Sequence, residues 1–129
     1  IKPVKPVTIA KSLAMGSPAD GVFVLETVKE TGGTIDEATD EEIIDGIKLL
    51  AETEGVFTET AGGVTMAVTR KLVASGAIPR DESVVICITG NGLKTQEPLL
   101  GVIGEPVKIK PTLEAFEERV GRSLKKAAG

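Results

Sequence analysis

Residues 83–90, SVVICITG, place five apolar residues in a row, Val84 to Ile88, directly before a Thr-Gly turn. A run with no polar interruption suits a strand covered on both faces, as in a parallel sheet. It predicts a central strand over residues 83–88. Such a strand cannot stand alone, so the rest of the chain has to supply neighbours and covering helices.

Helix signals flank it. Ser17, Pro18 and Asp20 read as N-cap, first helical position and capping-box acid, and Val24, Leu25 and Val28 follow at helical spacing. Gly32-Gly33 ends this helix, expected over residues 18–31. Thr39 and Glu42 form a second capping box, followed by the stripe Ile43, Ile44, Ile47, Leu50 and Ala51 and then Gly55, for a helix over 41–54. A third, over 61–75, carries Val64, Ala67, Val68 and Leu72 on one face and stops near Gly76. Residues 34–38 and 56–59 are short enough for strands. Residues 8–16 fit either a strand edge or a short helical turn. Residues 105–110, EPVKIK, alternate Val107 and Ile109 against Lys108 and Lys110, the pattern of an edge strand. Thr112 then caps a last helix with Leu113, Phe116, Val120 and Leu124 in one stripe.

Helices alternating with short strands predict an α/β fold with an open, mainly parallel sheet flanked by helices. Residues 1–9, with Pro3 and Pro6, read as a connector, and residues 10–129 as one domain. Three or four strands are few for such a sheet, and the first residue is Ile1 rather than methionine. Both point to a chain cut from something longer.

Composition removes several functions. Among 129 residues there is no histidine, which excludes Ser-His and Cys-His mechanisms and most zinc sites within the chain. Charges of both signs are interspersed, the net charge is −4, and aromatic residues are only 2%. Nucleic-acid binding is not expected, because a basic patch and a stacking platform are both missing. No apolar run approaches the ~20 residues of a membrane span, and no signal peptide is visible. The single cysteine, Cys87, lies in the VVICI run and reads as a small buried hydrophobe, in keeping with a reducing cytoplasm.

Three segments could carry chemistry. TGNGLK, residues 89–94, follows the apolar run, where open α/β sheets place their ligands. Thr89 offers a hydroxyl and the glycines allow close approach; a tight strand-to-helix turn without ligand explains the same residues. TETAGG, residues 58–63, puts two glycines in the first turn of a helix, at ~1 kcal/mol each relative to alanine. Close packing or approach to a ligand would account for them. Glu59 is then either a partner of the helix dipole or a polar wall of a pocket. IAKSLAMGSPADG, residues 9–21, sets Met15 and Gly16 before a capped helix, and the capping box alone explains that motif. Lys11 and Lys94 are amines that react only if buried.

Together these segments resemble threonine synthases, fold-type II enzymes of the tryptophan synthase β-like group that use pyridoxal phosphate. TIAKSLAMGSPADG is similar to the family segment built around GNP. DEEIIDGIKLLAETEGVFTETAGG is similar to its DEEI…LLA…EGIF…EPASAA stretch, and VVICITGNGLK to VVCVLTGHGLKD. Order and spacing agree over about residues 8–100. Ser17 stands where the pattern has Asn, Thr60-Ala61-Gly62-Gly63 where it has Pro-Ala-Ser-Ala, Asn91 where it has His, and Thr95 where it has Asp.

The resemblance implies the C-terminal part of the large domain of an enzyme that converts O-phospho-L-homoserine and water to L-threonine and phosphate. It implies a Schiff-base lysine and a phosphate-binding glycine loop in the N-terminal half; neither motif is found here, so the chain alone is expected to be inactive. It implies Thr89 as partner of the pyridine nitrogen, Glu59 near the ring, Met15 and Gly16 at the cleft, and a homodimer. Two other readings stay open. One is a related enzyme using the same cofactor, such as threonine dehydratase. The other is a standalone non-catalytic α/β module for a small metabolite or partner subunit.

Overall fold

The computed structural model describes residues 2–104 and 107–121. Its elements are α1 (Gly21–Thr31), α2 (Asp40–Glu54), α3 (Thr60–Ala74) and the short α4 (Leu113–Phe116), which runs on into a π-turn at Glu117–Gly121. Short 3-10 turns lie at Lys11–Leu13, Gly92–Lys94 and Glu97–Leu99.

The best-formed part is the hairpin of α2 and α3. The Thr39 hydroxyl accepts from the Glu42 amide at 3.2 Å, and the Glu42 carboxylate accepts from the Thr39 amide at 2.8 Å, so the expected capping box is complete. Gly55 closes α2 at φ 67°, a left-handed position that favours glycine. Ile43 and Ile47 from α2 make the core with Ala10 and Leu99, and Ile9, Ala38, Ile44, Phe57 and Val64 pack around them. The helices meet at glycines: a Cβ on Gly63 would lie 2.6 Å from the Ile43 carbonyl oxygen, and one on Gly46 would lie 2.6 Å from that of Gly63. Close packing is thus one reason for a glycine in the first turn of α3.

Residues 8–10 dock on this hairpin rather than serving only as connector. The Thr8 hydroxyl and Ile9 amide both donate to the Asp40 carboxylate, at 2.8 and 3.1 Å. Further back, the Val4 amide donates to the Gly16 carbonyl at 2.9 Å. Residues 11–13 form a 3-10 turn, which resolves the open choice over 8–16.

The predicted sheet is not present among the described residues. They contain one isolated antiparallel bridge, Thr58 to Asn91, and no strand ladder. Residues 84–88 are largely exposed, with Val85 at 90%, and Cys87 is exposed rather than buried. The reason is that a parallel strand takes its hydrogen bonds and its cover from elements distant in sequence. Here residues 34–38 and 107–110 also lack strand pairing, so no strand among the described residues flanks the run.

One helix start differs as well. The Ser17–Asp20 box does not form: residues 18–21 make a turn closed by the Gly21 amide on the Pro18 carbonyl at 3.2 Å, and α1 starts at Gly21 with no side-chain cap. Gly32 ends α1 as expected, at φ 67°. Thr112 caps the last helix, its hydroxyl accepting from the Ala115 amide at 3.3 Å. Leu124 of the predicted stripe, and residues 105–106 of the predicted edge strand, lie outside the described residues.

Candidate functional site

Two segments about thirty residues apart in sequence come together in one unit. Residues 57–60 run extended into α3, and residues 89–95 run from the end of the apolar stretch into the Gly92–Lys94 turn. The Glu59 amide donates to the Gly90 carbonyl at 3.1 Å, and the Gly92 amide to the Phe57 carbonyl at 3.0 Å. The Thr58 hydroxyl donates to the Gly90 carbonyl at 3.1 Å, and the Thr60 amide to the Thr95 hydroxyl at 3.3 Å. Lys94 pairs with the Glu59 carboxylate at 3.0 Å. The Asn91 side chain caps the short turn by accepting from the Leu93 amide at 2.9 Å.

The unit is built of buried polar groups. Thr58, Glu59 and Thr60 are 1%, 6% and 0% exposed. The Glu59 carboxylate occupies the space a Cβ on Gly90 would need, and the Phe57 ring does the same for Gly92. Among the described residues, Thr60 Oγ1 is a buried side-chain atom with no hydrogen-bond partner. A cavity of about 240 Å³, lined by Ile9, Lys11, Thr95, Glu97 and Pro98, opens beside the unit at Thr95.

The residues singled out in the sequence are placed unequally. Glu59 packs on Gly90, next to Thr89. Thr89 is exposed, and its hydroxyl makes no hydrogen bond among the described residues. Met15, 62% exposed, and Gly16 belong to the turn that meets Val4. No hydrogen bond among the described residues joins them to residues 57–60 or 89–95. Lys11 is exposed, and the side chain of Lys94 is 65% exposed despite its ion pair. Thr58, Phe57 and Thr95 were missed. The signal for Thr58 is its place in TETAGG, a segment whose sequence draws attention to Glu59 and the glycine pair instead.

The amino-acid sequence matches a known class. Residues 1–90 fit the family model for the pyridoxal-phosphate dependent enzymes, and the chain belongs to that family. Its relatives are more specific. It is 40% identical over 117 residues to the threonine synthase of Halalkalibacterium halodurans, covering 90% of this chain and 33% of that protein. It is 37% identical over 115 residues to that of Methanosarcina acetivorans, covering 89% and 28%. With that of Methanocaldococcus jannaschii it shares 39% over 105 residues, covering 81% and 26%. The chain thus spans a third or less of the length of these curated relatives.

Toward pyridoxal phosphate the described residues fit one part of the group. Thr89 is exposed and its hydroxyl is unbonded among the described residues, so it has the capacity to share one hydrogen bond with a ring nitrogen. For the cofactor's phosphate this unit holds nothing comparable, since Lys94 is taken by Glu59. Among the described residues no cluster of His, Cys, Asp or Glu could hold a metal, and no helix is long and apolar enough to cross a membrane.

Proposed function

We propose that this chain is the C-terminal part of a threonine synthase, which in full length turns O-phospho-L-homoserine and water into L-threonine and phosphate. The supporting observation is the pairing of residues 57–60 with residues 89–95: the two segments that resemble the family's cofactor-facing stretches meet in one pinned unit. In this reading Thr89 holds the ring nitrogen with a neutral hydroxyl, Glu59 lies beside the ring, and Met15 and Gly16 border the cleft. When bound, the cofactor supplies an electron sink for the substrate carbons. A hydroxyl donates or accepts a single hydrogen bond, so Thr89 leaves that sink weaker than a carboxylate at the same place would.

The lysine that holds the cofactor and the loop that holds its phosphate belong, in this reading, to the preceding part of the protein. Residues 84–88 become a buried strand of a parallel sheet once that part is present. The enzyme is cytoplasmic and homodimeric.

The test is to supply the full-length protein and cofactor with O-phospho-L-homoserine. Threonine and phosphate should appear in equal amounts. Deamination of threonine or serine without phosphate release would make it a dehydratase instead. Cofactor or metabolite binding without turnover of any of these would make it a non-catalytic module.

A further inference from the structure

Two glycines in the first turn of α3 cost ~1 kcal/mol each against alanine. Packing on α2 accounts for Gly63, since its Cβ would meet Ile43 and Ile47. Gly62 faces elsewhere: a Cβ there would collide with the hydroxyl, Cβ and Cγ2 of Thr58. Gly62 is therefore the space in which the Thr58 side chain sits.

Thr58 is 1% exposed, and its one O–H has two acceptors in reach, the Gly90 carbonyl at 3.1 Å and the Glu59 carbonyl at 3.3 Å. The nearer is Gly90, whose carbonyl also receives the Glu59 amide at 3.1 Å. Gly90 follows Thr89 and has no side chain to restrict its own backbone. Its restriction comes from outside, through those two donors and the Glu59 carboxylate packed on its Cα side.

We infer that Thr58 is a positioning residue for Thr89: its buried hydroxyl, seated in the space left by Gly62, fixes the Gly90 carbonyl and so the direction in which Thr89 presents its own hydroxyl. This rests on reading Thr89 as the partner of the cofactor's ring nitrogen. Thr58 itself touches no cofactor. It acts only through the turn.

The experiment uses the full-length protein and measures the dissociation constant of pyridoxal phosphate by fluorescence, with the melting temperature of the cofactor-free form alongside. Thr58→Val keeps the shape and removes the donor; affinity should fall roughly tenfold. Thr58→Ser keeps the donor and should stay within about twofold of the parent. The double variant Thr58→Val with Thr89→Val should bind no more weakly than Thr89→Val alone, because Thr58 acts through Thr89. A purely structural Thr58 would instead lower the melting temperature and multiply with Thr89→Val. Unchanged affinity in Thr58→Val, or effects that multiply, overturns the inference and leaves Thr89 in place. Unchanged affinity in Thr89→Val removes Thr89 from the site, and the inference falls with it. Should Thr58→Val not fold, Gly62→Ala displaces the hydroxyl without deleting it. It should show the same loss and the same lack of additivity with Thr89→Val, and full affinity in Gly62→Ala overturns the inference equally.

Discussion

Thr60 is fully buried, and its hydroxyl has no partner among the described residues, although its amide is bound by Thr95. A buried hydroxyl without a bond costs ~1–3 kcal/mol, and an apolar group of the same shape removes that cost. Thr60→Val keeps the amide and the shape. It should stabilise the chain by about 1 kcal/mol in urea unfolding. A loss of similar size would mean that the hydroxyl does have a partner. Single residues of this kind were hard to read in the sequence. Glu59 and Thr89 stood out through their motifs. Thr58 and Thr60 look like loop polars until residues 89–95 fold against them, and that approach has no local signature.

Helices are where the chain was most legible, because caps and stripes are local. Thr39, Glu42 and Gly55 bound α2 where their types require, and the Ile43–Ile47 face is the core. The Ser17–Asp20 motif failed for an equally local reason, a turn that postpones the helix to Gly21. The capping box has a pH signature. The bond from Lys71, at 2.8 Å, and then that from the Thr39 amide hold the Glu42 carboxyl below the usual carboxylate range. A depressed carboxylate contributes stability above its unfolded pKa and loses it as pH falls through the folded value. The same bond raises Lys71, with Asp36 and Glu37 also nearby, so the lysine's share is lost only as pH rises through its elevated value. Melting temperature should therefore fall on the acid side, and Glu42→Gln should flatten that limb. An unchanged acid limb would remove Glu42 from the account. The glycine contact between α2 and α3 gives an opposing pair of effects. Gly63→Ala gains up to ~1 kcal/mol in helix propensity. Its Cβ would meet the Ile43 carbonyl oxygen at 2.6 Å and Ile47 Cγ1 at 2.8 Å, and overpacking of this kind costs ~1–3 kcal/mol. Because one contact is backbone, the clash should win, with a net loss of about 1 kcal/mol on denaturation. A gain in stability would show that the helices slide apart freely.

For the whole molecule, the apolar surfaces carry the main lesson. Val22, Phe23, Val24 and Leu25 on α1 and Val84, Val85 and Ile86 in the expected strand are all exposed. Their apolar sequence led to an expectation of burial that the described residues do not show, because burial needs a second surface, and a strand needs neighbours that no local pattern can name. The relatives are three or more times longer than the stretch matched here, which is where the proposed function places the missing cover. The central claim is that this chain supplies the ring-nitrogen side of a pyridoxal-phosphate site while another part of the protein holds the cofactor covalently. Borohydride reduction of the full-length cofactor-loaded protein, followed by peptide mapping, tests it directly. The label should fall on one lysine outside residues 1–129, with Lys11 and Lys94 unlabelled. Full labelling of Lys94, Lys11 or any other single lysine within residues 1–129 would contradict it.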